Sequence, residues 1–242
     1  MIRRTLGFAS VFVLAFASLS SAATKNIDQT VPLSARGTLT LDAHNGWIRI
    51  QTWDKPQVEI HVRIEWIGLS TSSARFRDTT VGIDSSPDRV AIAWKRDPWD
   101  WTFWSLFEDG LTFGPDVHYD ITAPRTARLQ IRNHNADTDI SIFSGPLDLS
   151  THNGRTRVDF ASFTTNSRVE MHNGTIEFDL PKDSRFNFDS RGHHAYVTSD
   201  FPPVVRATYH GRGANNVAGT VNGGGPDLRI VSHNAIVRLR SK

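Results

Sequence analysis

The residues best able to do chemistry are histidines: the chain has ten of them and no cysteine, and half recur in one setting. That setting is His-Asn followed by Gly or Ala, at His44-Asn45-Gly46, His134-Asn135-Ala136, His152-Asn153-Gly154, His172-Asn173-Gly174 and His233-Asn234-Ala235, with His193-His194-Ala195 as a degenerate copy. An imidazole can ligate a transition metal or change charge near neutral pH. Here the motif histidines fall out of phase with the inward residues Ala43, Asn133, Thr151, Met171 and Ser232, so each is expected to face solvent. If successive copies stack in register, neighbouring imidazoles stand about 4.7–4.9 Å apart. The expectation is an exposed column of His134, His152 and His172, extended by His193. Two such rings could approach one ion at about 2.0–2.1 Å, but tight binding needs three or four ligands, and no carboxylate is fixed beside the column. A neutral ladder with no cofactor is therefore the expected state, and a divalent transition metal such as zinc, copper or nickel is the alternative.

Two other groups could carry function. Asp97 to Gly110 reads as a short helix, with Asp97 as N-cap, Pro98 at the first position and Gly110 after the end. Its Trp99, Trp101, Trp104 and Phe107 either cover an open part of a core or face solvent and bind a glycan, a lipid surface or a protein. Acids recur at outward positions, as Asp148, Asp159, Glu170, Glu177 and Asp179, interleaved with Arg155, Arg157 and Arg168. Polysaccharide-cleaving chemistry needs carboxylates converging on one groove, whereas this pattern reads as a charge-balanced solvated face. No Gly-x-Ser-x-Gly elbow is present. Gly223-Gly224-Gly225 lacks the Lys-Ser/Thr of a phosphate loop and reads as a tight turn.

The elements that must position these residues are strands. Leu147 and Leu149, then Thr156, Val158 and Phe160, alternate onto one face, and Val169 and Met171 followed by Ile176, Phe178 and Leu180 repeat the pattern. From Asn135 to Asn153, Asn173 and His194 the steps are 18, 20 and 21 residues, and from His194 to Asn234 the step is 40, about two periods. A period of this size marks a stacked repeat. An Asn-Gly hairpin needs positive φ at both central residues, which Ala tolerates poorly. A corner with only the Asn, or His194, left-handed suits all copies better. The sequence thus predicts an all-β fold, a single-stranded β-solenoid with coils of about 20 residues and a short aromatic helical insert, in preference to a meander of hairpins. Thr38 to Ile50 is its first coil, and residues 54–124 are an elaboration inserted before the regular repeats, with strands at Val58–Trp66, Val81–Ile83, Val90–Trp94 and Val117–Ile121.

Arg3 and Arg4, the apolar run Leu6–Ala17 and the small residues Ser20-Ser21-Ala22 form a signal-peptide pattern over residues 1–22, too short to span a bilayer comfortably. Removing it leaves residues 23–242 as one domain and lowers the count of Lys and Arg from 27 to 25, against 25 acids. The mature chain is nearly neutral, which argues against nucleic-acid partners, and it holds no transmembrane stretch. Without cysteine it has neither disulfides nor a lipid-bearing thiol.

The exported N-terminus, the Asn-Gly-punctuated strand pairs, the entry Tyr119-Asp120-Ile121-Thr122-Ala123-Pro124 and the final Gly223-Gly224-Gly225-Pro226-Asp227-Leu228-Arg229-Ile230 strand together resemble the bacterial putative-adhesin family of β-strand-repeat proteins. The similarity covers most of residues 35–240. It implies a β-solenoid outside the cytoplasm with no established enzymatic activity and an adhesin role. The protein is accordingly expected to be periplasmic, on the outer surface or secreted, not to be an enzyme, and to contact a protein or glycan of the cell envelope. No family residue roles transfer, because the shared motifs are turn and core positions. The His before each Asn and the Trp-rich insert are this chain's own departures.

Overall fold

The computed structural model describes residues 22–67, 80–95, 115–202, 205–209 and 215–242, and among them every regular element is a strand. Residues 1–21 of the signal-peptide pattern and the Trp-rich helix expected at 97–110 lie outside these residues, whereas Ala22, the last residue of the pattern, opens the first strand. In chain order the strands are β1 (Ala22–Pro32), β2 (Thr38–Trp53), β3 (Gln57–Ile67), β4 (Thr80–Ser86), β5 (Arg89–Lys95), β6 (Asp116–Pro124), β7 (Arg128–Phe143), β8 (Leu147–Phe160), β9 (Ser167–Leu180), β10 (Phe186–Gly192), β11 (Tyr196–Ser199), β12 (Val205–Tyr209), β13 (Asn215–Val221) and β14 (Asp227–Ser241). They form one open mixed sheet in the order β1-β3-β6-β2-β7-β8-β9-β14-β10-β13-β12, with β11 on β14, β4 on β5 and β5 on β2. Among the described residues no helix is long and apolar enough to cross a membrane.

The centre of this sheet is a parallel, in-register stack of the five strands that carry His-Asn-Gly/Ala: β2, β7, β8, β9 and β14. Each has two arms. In β7, Leu129, Ile131 and Asn133 point inward, His134 and Asn135 both point outward, and Ala136, Thr138 and Ile140 resume inward. A straight strand cannot send two successive side chains to the same side, so the chain turns around the core at this point. At the stack's two ends the arms acquire separate neighbours: β5 and β6 flank the two arms of β2, and β10 and β11 those of β14.

Register turns the alternation into continuous apolar rows. Leu41, Ile131, Leu149, Val169 and Ile230 align across the first arm, and Ile50, Ile140, Val158, Phe178 and Leu239 across the second; all are buried. Each such side chain contributes about 1.5–3 kcal/mol on burial, and a one-residue slip would expose the whole set.

The sheet departs from regular stacking in one respect that the sequence did not disclose. The chain-order successor of β9 is β10, yet β14 lies between them, parallel to both. The physical reason is length: β14 pairs with β9 through thirteen positions, whereas β10 and β11 together offer β14 only ten and are too short to cover β9. Pro226-Asp227 follows the glycine turn that permits this, in which Asn222, Gly223 and Gly224 all have positive φ and Gly224 N donates to Val221 O at 3.0 Å.

Ile142 is a second irregularity. It sits at φ 58° beside a register shift between β7 and β8, and its side chain is 49% exposed. A β-branched residue in the left-handed region is strained and, exposed as this one is, gains little burial in return. Ile142→Asn is expected to raise stability by about 1 kcal/mol, read as a higher urea midpoint; an unchanged or lowered midpoint would show that the Ile142 side chain packs usefully.

Candidate functional site

The corners of the five long strands line up along one edge of the stack, and the histidines there form a continuous pile of rings. Centroid separations are 5.2 Å for His44–His134, 4.8 Å for His134–His152, 4.6 Å for His152–His172 and 4.8 Å for His172–His233, with interplanar angles of 4–9°. Trp94 of β5 stacks on His44 at 5.1 Å and closes that end. His134, His152, His172 and His233 are exposed and the residues before them are buried, as the parity required. The expected extension by His193 is corrected: His233 follows His172, because β14 occupies the slot next to β9. His193 instead meets His233 edge-on at 5.5 Å and 74°, and stacks on His194 at 5.0 Å.

Beside the imidazoles runs an amide ladder. Asn135 Nδ2 donates to Asn45 Oδ1 at 3.2 Å, Asn153 to Asn135 at 2.7 Å, Asn173 to Asn153 at 2.9 Å and Asn234 to Asn173 at 2.9 Å. This ladder explains why Asn is constant at the corner, and it corrects the expectation that Asn supplies a left-handed backbone. Among the described residues the only non-glycine residues with positive φ are Ile142 and Asn222. The corner has two backbone solutions instead. Where Gly follows Asn, the Gly takes positive φ, at 106° for Gly46, 125° for Gly154 and 141° for Gly174; the corners with Ala136 and Ala235 turn without it. On the inner side, Asn133 Nδ2 donates to Thr138 Oγ1 at 2.9 Å and Thr151 Oγ1 donates to Asn133 Oδ1, which pairs these three buried side chains beneath the β7 and β8 turns.

The geometry limits what the column can do with a metal. An ion held by two imidazoles lies in the plane of both rings, about 2.0–2.1 Å from each nitrogen. Nearly parallel rings 4.6–5.2 Å apart share no such point. Among the described residues no three His, Asp or Glu are grouped so as to hold one ion.

The same closeness has a charge consequence. Desolvation where the neighbouring rings crowd it, together with the charges of His172, His193 and His194, holds the exposed His233 imidazole below its ordinary pKa. A histidine whose folded pKa is depressed binds its proton more readily when unfolded, so its stabilising contribution is complete above the unfolded value of about 6.5 and is lost as pH falls through the lower folded value. The melting temperature is therefore expected to drop between about pH 7.5 and about pH 5.5, and to drop less in His233→Asn; equal drops in both proteins would rule His233 out as a source.

Two further groupings are legible only in the structure, although the sequence places Arg157, Glu177 and Asp179 in a charge-balanced solvated face; Asp179 is in fact buried. On the second arm, a row of outward charges runs Asp120, Arg49, Asp139, Arg157, Glu177, Arg238 with strictly alternating sign, one residue per strand. The next row centres on Asp179, only 7% exposed, which accepts from Arg157 Nη2 at 2.8 Å and Arg240 Nε at 2.8 Å. Burial pushes the Asp179 carboxyl up, and the hydrogen bonds and charges of Arg240 and Arg157 outweigh this and hold it below the usual carboxylate range. Glu177 and Asp179 are thus both paired with arginine. Near the other end, His118 stacks on Trp47 at 5.1 Å, its Nε2 3.2 Å from Glu65 Oε2, while the Arg49 guanidinium lies over the Trp47 ring at 4.9 Å. The pairing of β6 with β2 and β3 creates this cluster, and no sequence spacing announces it. Trp99, Trp101, Trp104 and Phe107 lie outside the described residues.

No family model matches the chain, and no curated protein matches it. Among solved structures it is similar to a putative cell adhesion protein from Clostridium sporogenes, with a TM-score of 0.62 at 8% identity over 91% of this chain and 100% of that one. A putative adhesin from Bacteroides fragilis covers 90% of this chain and 97% of its own at 10% identity, with a TM-score of 0.34. At 8% identity the likeness to the Clostridium sporogenes protein is one of fold, and it agrees with the family resemblance carried by the strand repeats: the chain has the all-β architecture of a putative cell adhesion protein.

Proposed function

We propose that the protein is an exported, non-enzymatic β-solenoid that serves as an adhesin-like binding or structural module of the cell envelope, contacting a protein or glycan there. The observation that carries this reading is the parallel stack itself: five strands in register, each turning at its own corner, repeat the same outward groups along one line. Joined by connections as short as Ser144-Gly145-Pro146 between β7 and β8, parallel strands can follow one another only if each coil returns to its start. Such a surface offers many equivalent contacts, and its acids Glu170, Glu177 and Asp179 are tied to arginines. The fold-level likeness supports the same reading.

Fractionation of the producing cells, followed by a pull-down from their envelope with the purified mature chain, tests it. Recovery outside the cytoplasm and capture of an envelope protein or glycan is the expected result. A cytoplasmic location with Met1 retained would overturn the export part, and a clean envelope pull-down the binding part. The metal alternative, zinc, copper or nickel on His134, His152 and His172, rests on the nearness of the exposed rings and requires two of them to rotate. Under it, zinc raises the melting temperature at about pH 7.5 and His152→Asn abolishes the rise; no rise removes it.

A further inference from the structure

The edge formed by the imidazole and amide ladders presents the same pair of groups on each of five rungs. Every Asn spends one N–H or one lone pair on each neighbour, and a side-chain amide has two N–H groups and two lone pairs, so each inner rung keeps hydrogen-bonding capacity directed away from the ladder. Each exposed imidazole adds an in-plane N–H. The rungs repeat every 4.6–5.2 Å.

The charged groups flanking this edge nearly cancel. On the first-arm side stand Asp42 of β2, Arg132 of β7 and Glu170 of β9, the last already bound by Arg168. Across the corner stand Asp137 of β7 and Arg155 of β8, where Asp137 Oδ1 accepts the Arg155 backbone N–H at 2.7 Å. β14 places Val231 and Ile236 there, β5 packs Trp94 on His44, and on β10 Arg191 is held by Asp189 at 3.0 Å. Against so balanced a surround, the imidazoles are the groups whose charge changes between about pH 5 and 8. Protonation converts a neutral line into a row of cations at fixed spacing.

From this juxtaposition we propose that the histidine–asparagine edge binds a linear polyuronate, an anionic polysaccharide with one carboxylate per sugar, and binds it more tightly as pH falls. The inference rests on the binding-module reading above and gives its ligand class. A straight row of identical groups selects a ligand with its own repeat, and a pyranose ring is comparable in length to the distance between strands. Imidazolium N–H groups make charge-assisted hydrogen bonds to carboxylates, and the Asn amides suit sugar hydroxyls. Carboxylates laid along the row also relieve repulsion between neighbouring imidazoliums. Proton and polymer therefore bind cooperatively, and by linkage the polymer raises the histidine pKa values as much as protons tighten the polymer.

The experiment is calorimetric titration of the full mature chain with polygalacturonate, with neutral dextran and single-stranded DNA alongside, at about pH 7.5 and about pH 5.5. The expected result is about tenfold or more tighter binding of polygalacturonate at the lower pH, corresponding to about 1.4 kcal/mol, with no binding of dextran and weaker binding of DNA. The triple variant His134→Asn/His152→Asn/His172→Asn should lose the pH dependence. Equal affinity at the two pH values, DNA bound as well as polygalacturonate, or an unaltered triple variant would each overturn the proposal. Because the variant could fail to fold, a second measurement uses the parent protein alone: histidine ring shifts followed by NMR should titrate at higher pH with polygalacturonate present, and unmoved titrations overturn it. If envelope capture succeeds while polygalacturonate does not bind, this inference fails and the binding-module reading stands.

Discussion

Gly174→Ala is expected to destabilise the protein by about 4 kcal/mol, a large part of the 5–15 kcal/mol typical of a domain. Gly174 sits at φ 141°, and a Cβ there would lie 1.9 Å from the carbonyl oxygen of Gly154. Neither backbone can yield easily: Gly174 is in register with Gly154 on one side and Ala235 on the other, and Asn173 is bonded to Asn153 and Asn234. The same change at Gly154 meets the Ala136 oxygen at the longer distance of 2.8 Å and should cost less. Urea unfolding of the two variants gives the order. Equal midpoints, or a Gly174→Ala midpoint like the parent's, would mean that a glycine corner can convert to the backbone used at Ala136 and Ala235.

Asp179→Ala should cost about 2 kcal/mol at neutral pH. It removes the carboxylate shared by Arg157 and Arg240, both bonded at 2.8 Å, but leaves two guanidinium groups that are nearly half exposed and can rehydrate, which keeps the loss below that of a fully buried pair. The sign of its pH dependence is determined by the lowered folded pKa. The carboxylate's contribution is complete above its ordinary value of 3.8 and is lost as pH falls through the lower folded value. Parent and variant should thus differ in melting temperature at neutral pH and converge in strong acid. A gap that persists unchanged at the acid end would assign the effect to packing.

The corners explain how much of the molecule could be read in advance. Period-2 alternation in Val169, Met171, Ile176 and Phe178 requires strands, and the outward phase of His152 and His172 follows from counting alone; both hold in the structure. The identity of the residue with positive φ did not follow. Asn is a common left-handed residue, but at this corner its value lies in bonding to the Asn above and below, a role visible only once strands are stacked. Spatial order was also hidden. A step of 40 residues between His194 and Asn234 is compatible with two further coils in sequence order, and nothing local to β14 says that it pairs with β9. The Asp179 network and the Trp47–His118–Glu65 cluster share that cause, since each joins side chains from three strands through register.

The placement of β14 also sets a problem of timing. When β9 and β10 have been made and β14 has not, β9 has an unpaired outer edge and β10 is the nearest strand able to fill it, with the correct parallel sense but the wrong partner. Long-range parallel pairing is slow, because distant segments must meet before any bond rewards the closure. The local error therefore has a kinetic advantage over the native arrangement. Native β10 is bonded on its other side to β13, and β13 in turn to β12, so misplacing β10 carries three strands with it. Refolding from urea should accordingly show a slow phase without proline isomerisation, in which a premature β9–β10 contact opens to admit the strand made after it.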